Sequence, residues 1–173
     1  MCIRDRYDED GDGKMSCVEL MNKKAAELGC TNTHFVNPHG LYDENHYTTA
    51  RDLARITQAA LKSENFRQIV DTAEYVIPES ATGQEHKLKT TNLLIYESTG
   101  NSLYYPRATG VKTGYTSAAG RCLVATAEDD GIRFLSVLCG AKTTILESGD
   151  LLMESFPETI KLLDYGFDNY SYV

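Results

Sequence analysis

Tryptophan is absent from the 173 residues, and basic side chains are scarce relative to acidic ones: 17 Lys and Arg stand against 25 Asp and Glu. The formal net charge of −8 argues against a nucleic-acid partner, because such proteins normally carry a basic patch that neutralises phosphates. The sequence has no run of about 18 apolar residues, which a membrane-spanning helix would need. The five cysteines form no C-x-x-C pair, and no His/Cys cluster has the spacing of a zinc site.

The first residues also lack the apolar core of a secretory signal peptide. The opening MCIRDR, residues 1–6, fits no helix, strand or targeting pattern and resembles the translation of a sequencing adapter. We therefore expect these residues to be a non-native artefact and the natural sequence to continue upstream, so that any membrane association would come only through missing segments. At this length, residues 7–173 are expected to form a single domain.

Apolar periodicity predicts helices over about residues 18–28, 49–62 and 64–72, and a last helix that begins with a capping box of Ser155 and Glu158. Strands are predicted at 73–78, 109–116, 120–128 and 131–141, with Asp130-Gly131 as a tight hairpin turn. Residues 79–87 are expected to form a turn region, and residues 90–96 either a short helix or a strand. The order of helices, then antiparallel strands, then a helix predicts an α+β domain.

A lysine–threonine–glycine triplet, Lys112-Thr113-Gly114, lies on the first of the three antiparallel strands. The triplet alone is a weak signal, because an exposed strand lysine beside a turn glycine would also explain it. A phosphate-binding P-loop would need glycine directly before the lysine, and Val111 occupies that position. Beside a cleft, the lysine would present a fixed positive charge and the small Thr113 and Gly114 would admit another backbone. Such a cleft suits an extended peptide with a terminal carboxylate.

The sequence resembles the serine-type D-alanyl-D-alanine carboxypeptidases, the low-molecular-mass penicillin-binding proteins. The resemblance covers about residues 18–168 and is carried by LMNKKAAELGCTNTHFVNPHGLYDENHYTTARDLARI, TTNLL, GVKTGYTSAAGRCLVATA and LLDYGF. It implies a β-lactamase/transpeptidase-like antiparallel sheet flanked by helices, truncated at its N-terminus. The implied reaction removes the terminal D-alanine from peptidoglycan stem peptides through an acyl-serine intermediate and requires no cofactor. The resemblance also implies an exported protein of the bacterial cell envelope that binds β-lactams when intact.

Three motifs meet in the cleft of this family: a serine three residues before a lysine (S-x-x-K), an S-x-N element and a K-T-G strand. Only the K-T-G strand is matched in this sequence. Lys112, Thr113 and Gly114 match it, and the backbone N–H of Tyr115 falls at the oxyanion position, so these four form the implied substrate-binding set. No serine is followed three residues later by lysine, and Ser63-Glu64-Asn65 matches the S-x-N element only by letter, because it follows the TTARDLA block. The nucleophile and its base are therefore expected upstream, and no catalytic residue is present. The chain alone is expected to be inactive and to be poorly soluble or molten.

The acidic stretch DEDGDGKMSCVE, residues 8–19, matches a second pattern, the calcium-binding EF-hand loop. The candidate ligands fall at the loop's oxygen-ligand positions, with Gly13 at the sharp turn: Asp8, Asp10, Asp12, Lys14 through its carbonyl, Ser16 through a water, and Glu19. The alternative is a solvated acidic turn between helices, since neither an entering helix nor a second loop accompanies it. A bound calcium would be structural and would take no part in catalysis.

Three histidines, His34, His39 and His46, cluster in the loop after the first helix, and their spacing matches no standard zinc site, so we expect loop-covering roles. Cys122 and Cys139 lie in strand-like apolar runs and are expected to be buried thiols that act as small hydrophobic side chains. One other function class stays open beside the hydrolase: a non-catalytic binding module, either EF-hand-like and calcium-binding or peptide-binding.

Overall fold

The computed structural model describes residues 16–80, 83–147, 149 and 151–171. It divides the chain into two compact units, residues 1–60 and 61–173. Across the described residues the elements are four α-helices and seven β-strands, all of the paired strands antiparallel. This content confirms the predicted α+β class. No helix in these ranges is long and apolar enough to cross a bilayer.

The first unit contains helices α1 (Cys17–Glu27) and α2 (Ala50–Ala60), joined by a long loop. α1 begins at a capping box: Ser16 Oγ accepts from the backbone N–H of Glu19, and the Glu19 carboxylate accepts from the N–H of Ser16 at 2.8 Å. After α1, Gly29 adopts φ +75°, a left-handed conformation that its missing Cβ permits. Both helices were predicted from periodicity, because their apolar stripes and terminal signals are local.

The loop between α1 and α2 is fastened to α2 by the carboxylate of Asp52, which is 1% exposed. One of its oxygens accepts from the backbone N–H of Asn32 and from the Thr33 hydroxyl, both at 2.9 Å, and the other accepts from Arg55 at 3.1 Å. Burial by itself raises the pKa of the Asp52 carboxyl, but these three donors outweigh burial and hold the pKa below its usual value. The carboxylate is therefore charged at neutral pH and orders the loop.

The described residues of the second unit form one three-stranded sheet, two small hairpins and two helices. Its elements are α3 (Glu64–Val70), β1 (Glu74–Ile77), β2 (His86–Lys89), β3 (Ala108–Thr116), β4 (Gly120–Asp129), β5 (Ile132–Ala141), β6 (Thr143–Ile145), β7 (Leu151–Met153) and α4 (Ser155–Asn169). β1 pairs with β2 and β6 with β7, while β3, β4 and β5 form a sheet in that order. The sheet is a meander in which β3 and β5 are the outer strands.

The turn between β4 and β5 has the conformation that the sequence predicts. Asp130 and Gly131 adopt φ +47° and +76°, as a type I′ turn requires of both central residues. Side chains alternate between the two faces of the sheet, and Leu123, Ala125 and Ala127 of β4 are completely buried on the face that α4 covers. This face forms the core of the second unit.

Helix α4 closes that core. Phe156 and Leu163 from α4 pack with Leu94 and the β4 side chains, and each is at most 2% exposed. The Tyr105 hydroxyl donates to the Asp164 carboxylate at 2.7 Å, which ties the segment before β3 to α4. Burial and this carboxylate raise the pKa of Tyr105 to about 12, so its hydroxyl stays protonated and able to donate at neutral pH.

Two predictions for the segment between β1 and β3 were wrong. Residues 90–96 form turns and bends, neither helix nor strand, because the side chain of Asn101 donates to the carbonyls of Leu93 and Tyr96 at 2.9 and 2.6 Å. Those two carbonyls therefore have hydrogen-bond partners without belonging to a β-sheet or a helix. Residues 86 and 87, which were predicted to belong to a turn region, form β2 together with residues 88 and 89 because they pair with β1, a partner that local composition does not reveal.

The start of α4 also differs from its prediction. Ser155 is the first helical residue, and Glu154 occupies the N-cap position without a side-chain capping bond. Ser155 is 3% exposed, because it belongs to the buried face of the helix. The predicted capping box of Ser155 and Glu158 is therefore absent, and Glu158 instead accepts from Lys161 at 2.7 Å.

Candidate functional site

The K-T-G triplet lies in the middle of β3, at one margin of the three-stranded sheet. Residues 112–114 pair with residues 122–124 of β4, so the ladder on that side holds the triplet's backbone. Within the described ranges the other edge of β3 has no strand partner. An outer strand of this kind offers its unpaired N–H and C=O groups to an extended chain.

The amine of Lys112 is free to bind an anion. Lys112 is exposed, and its Nζ donates to the carbonyl oxygen of Thr113 at 2.6 Å. In the part of the chain that the structure describes, no carboxylate lies within salt-bridge distance of this amine. A carbonyl is a neutral acceptor, so the positive charge of Lys112 is not compensated by a partner and remains available to a ligand.

Lys112 and Thr91 contribute to the walls of two hollows. The first has a volume of about 800 Å³ and lies between the end of α3, the β1–β2 hairpin and β3, with exposed Tyr75 and Leu88 in its wall. The second has a volume of about 530 Å³ and is lined by the triplet itself, Tyr115 and the first turn of α4. Both walls are mainly apolar, so the lysine is the charged group at the place where two apolar hollows share a border.

The two small residues of the triplet have different surroundings. The hydroxyl of Thr113 lies 2.5 Å from the hydroxyl of Thr91, which joins β3 to the segment before it. Gly114 is not among the residues with positive φ, and a Cβ added to it would meet nothing nearer than the Cβ of Cys122 at 3.9 Å. Neither the backbone nor the packing of this chain requires glycine at 114, so its use is to leave open space on the surface of β3.

A second cation stands beside the triplet. Arg121 pairs with Tyr115 across the β3–β4 ladder, and its guanidinium lies 4.3 Å from the centroid of the exposed Tyr115 ring. Arg121 Nε also donates to Thr143 Oγ1 at 3.2 Å, which holds the side chain at the wall of the second hollow. The sequence itself indicates this pair, because residues 115 and 121 are equally far from the turn that connects β3 to β4. No local signal indicates Thr91, because a long-range contact brings it to the site.

The matching letters Ser63-Glu64-Asn65 have a structural explanation. Ser63 is the N-cap of α3, and its hydroxyl accepts from the backbone N–H of Phe66 at 3.4 Å. Asn65 follows within the first turn of the helix. This use of the serine agrees with the interpretation of the S-x-N match as chance.

The loop histidines are engaged by backbone groups. The ring Nδ1 atoms lie 2.7–3.2 Å from main-chain partners: His34 contacts the carbonyl of Asn45, His39 accepts from Leu41 and His46 accepts from Val36. No group of three or more His, Cys, Asp or Glu side chains that could hold a metal ion occurs in the described ranges. The histidines therefore order the loop.

Most of the predicted calcium loop lies outside the described residues, namely Asp8, Asp10, Asp12 and Lys14. The last two candidate ligands, Ser16 and Glu19, are described and bond to each other in the capping box of α1. In an EF-hand the glutamate at the last loop position must turn both carboxylate oxygens to the metal. Calcium binding, which would require this rearrangement, stays a prediction.

The sequence matches the model of a family described as D-alanyl-D-alanine carboxypeptidase over residues 10–143. Among curated proteins, it is 39% identical over 153 residues to the D-alanyl-D-alanine carboxypeptidase DacF of Bacillus subtilis (strain 168). That match covers 88% of this chain and 35% of the relative. The chain thus spans about a third of the length of this curated relative.

Two solved structures resemble the fold closely. The DD-transpeptidase of Streptomyces K15 aligns with a TM-score of 0.72 and 30% identity, over 86% of this chain and 52% of that one. Penicillin-binding protein D2 from Listeria monocytogenes, in its cefotaxime-bound form, aligns with a TM-score of 0.68 and 27% identity, over 87% of this chain and 54% of that one. These similarities confirm the expected transpeptidase-like fold, of which the chain spans about half.

Proposed function

The chain belongs to the family of D-alanyl-D-alanine carboxypeptidases, and on that basis we propose that the protein carrying it removes the terminal D-alanine from peptidoglycan stem peptides. In the proposed reaction a serine hydroxyl attacks the carbonyl carbon between the two last D-alanines. The C–N bond breaks, D-alanine leaves after its nitrogen takes a proton, and water then hydrolyses the acyl-serine. None of the serines in this sequence precedes a lysine by three residues, so we assign the nucleophile to none of them.

The part that we assign to this chain is to bind the carboxyl end of the substrate. The Lys112 ammonium would bind the terminal carboxylate through a charge-assisted hydrogen bond. The backbone N–H of Tyr115 would donate to the oxygen on which negative charge develops. The open edge of β3 would pair with the backbone of the extended peptide, and Gly114 would let that backbone approach.

The observation that carries the proposal is the position of Lys112. Its amine is exposed, has no carboxylate partner among the described residues, and contributes to the walls of both hollows beside β3. A purely structural surface lysine would need no hollow next to it. The alternative of a non-catalytic binding module is not favoured, because the family match extends over residues 10–143.

Two further assignments are proposals of the same kind. The first is that β-lactams are ligands of the whole protein, which the cefotaxime-bound structure of the Listeria relative supports. The second is that the protein works outside the cytoplasmic membrane, where peptidoglycan stem peptides are exposed. Members of this family are penicillin-binding proteins of the cell envelope.

The test uses the full-length gene product and measures D-alanine release from a synthetic peptide ending in D-alanyl-D-alanine. Lys112→Met removes the charge and keeps most of the side-chain length. A hydrogen bond to a charged group contributes about 1.5–3 kcal/mol, so we expect kcat/KM to fall about 10- to 150-fold. Lys112→Arg retains the charge and is expected to lose less.

A second substrate isolates the contact. When the C-terminal amide replaces the acid of the same peptide, kcat/KM of the unmutated protein is expected to fall by a factor similar to that of the Lys112→Met change. For Lys112→Met, replacing the acid by the amide is expected to lower kcat/KM only a little further. A loss in Lys112→Met that is equally large for acid and amide would contradict a carboxylate-binding role. The isolated 173-residue chain is expected to take no label from a fluorescent penicillin, and stoichiometric labelling would show that it holds a nucleophile after all.

A further inference from the structure

The three-stranded sheet carries two cysteines on neighbouring strands. Cys122 belongs to β4 and Cys139 to β5. The sequence pattern predicts buried thiols at both positions, but this is wrong for Cys139, which is exposed, and Cys122 is only half-buried. Cys139 is exposed because β5 is an outer strand and its side chain lies near the strand's end. The proposed carboxypeptidase reaction uses neither thiol.

The strand register places the two cysteines opposite each other. Cys122 lies between two ladder pairs, 123 with 138 and 121 with 141. One residue of β4 therefore faces two residues of β5, Cys139 and Gly140, which is the arrangement of a β-bulge. Opposed residues of an antiparallel pair have Cα atoms about 4.5–5.5 Å apart, within the range of about 4.4–6.8 Å that a disulfide spans.

The two side chains also lie on the same face of the sheet. Leu123 is completely buried beneath α4, and its ladder partner is Leu138. Because side chains alternate along each strand, Cys122 and Cys139 both point to the opposite face. There the Cys122 Sγ lies 3.8 Å from the carbonyl oxygen of Ala119, and partial burial together with the neighbouring Cys122 thiol raises the pKa of Cys139.

We propose that Cys122 and Cys139 form a reversible cross-strand disulfide when the protein meets a disulfide oxidant of the glutathione type. The thiolate of the exposed Cys139 attacks oxidised glutathione, an S–S bond forms to one glutathione and the other leaves as a thiolate. The Cys122 thiolate then attacks the Cys139 sulfur, the intramolecular S–S bond forms and the second glutathione leaves. Two protein thiols are oxidised, one glutathione disulfide is reduced, and the two protons pass to the departing thiolates.

The bridge would act on the strand that holds the K-T-G triplet. Cys122 is the ladder partner of Gly114, and Gly114 has no side chain that could shield it. Tying β4 to β5 at the bulge removes the local freedom of the ladder on which the triplet depends. The inference rests on the sheet register, so it does not depend on the proposed reaction.

Trypsin separates the two cysteines, which makes the link directly measurable. Cleavage after Arg121, Arg133 and Lys142 yields peptides 122–133 and 134–142, each with one cysteine. The full-length gene product is incubated in native buffer with oxidised glutathione, its remaining thiols are alkylated, and it is digested without reductant. We expect the two peptides to be recovered joined, lighter by two hydrogen atoms than their sum, and separated again by dithiothreitol.

Variants and denaturant provide the controls. Cys139→Ser is expected to lose the joined peptide entirely, whereas Cys30→Ser, a change in the first unit, is expected to retain it. In concentrated urea the same oxidant is expected to produce mixed pairings that include Cys17 or Cys30. Recovery of the two peptides separately from the folded, unmutated protein, each alkylated or glutathionylated, would overturn the proposal, as would cross-links only between chains. These masses do not depend on D-alanine release, so the two proposals fail independently.

Discussion

Two glycines on β3, four positions apart, provide a matched pair for testing how the K-T-G strand is built. Gly110 adopts φ +130°, and Gly114 is not among the residues with positive φ. The same substitution, glycine to alanine, is expected to have opposite effects on stability at the two positions. The difference follows from what each added methyl group would meet.

At Gly110 the added methyl group meets the end of α3. It would lie 2.9 Å from Cγ2 of Val70 and 3.1 Å from the Val70 carbonyl oxygen, and the carbonyl cannot rotate away as a side chain can. Overpacking of this kind costs about 1–3 kcal/mol, and a non-glycine residue at such a φ costs about 1–3 kcal/mol more. Gly110→Ala is therefore expected to lower the free energy of unfolding by about 2–6 kcal/mol.

At Gly114 the methyl group meets only the Cβ of Cys122, at 3.9 Å, which is ordinary van der Waals contact. Alanine restricts the unfolded chain more than glycine does, and this effect stabilises the folded state by about 0.4–1 kcal/mol where the native φ suits both residues. Gly114→Ala is therefore expected to leave stability unchanged or slightly higher. Its effect is expected on D-alanine release, because the methyl group would occupy the space left for the substrate backbone.

Urea unfolding of the full-length gene product measures the stability difference through tyrosine fluorescence or circular dichroism. With a urea dependence of about 1–3 kcal/mol per molar, Gly110→Ala should lower the unfolding midpoint by on the order of 2 M. Gly114→Ala should unfold at or above the unmutated midpoint and still release D-alanine more slowly. Equal destabilisation by the two changes would refute the reasoning about β3 packing, and full activity in Gly114→Ala would refute the close approach of a ligand backbone.

Two further predictions concern Asp52 and the acidic stretch at residues 8–19. The pKa of Asp52 in the folded protein is held below its unfolded value of about 3.9, so the ionised carboxylate stabilises the fold above that pH, and this stabilisation is lost as the pH falls through the folded pKa. The difference in unfolding free energy between the unmutated protein and Asp52→Asn should therefore shrink below about pH 4. A difference that stays constant from pH 7 to 3 would contradict the assignment. If residues 8–19 bind calcium, millimolar calcium should protect the bond after Lys14 from trypsin, and Glu19→Gln should abolish the protection. Cleavage that calcium leaves unchanged would contradict the predicted calcium site.

Much of the local structure could be predicted from the sequence, because its causes are local. The periodic apolar positions of α1 and α2 and the left-handed turn at Asp130-Gly131 depend on residues a few positions apart. The K-T-G triplet and its placement on a strand were visible for the same reason. Predictions failed where a residue outside the segment satisfied the segment's backbone, as Asn101 does for the carbonyls of Leu93 and Tyr96, and as β1 does for β2.

The sequence by itself determined the family, the α+β class and the identity of the charged residue at the candidate site, since these depend on motifs and patterns that are contiguous in the chain. Only the tertiary structure decided that Lys112 borders two hollows, that Thr91 reaches Thr113, and that Cys122 and Cys139 lie opposite each other. Each of these facts depends on which segments pair across a sheet or pack against a helix. Such pairing is chosen by the burial of the whole core, and no single stretch of sequence carries it.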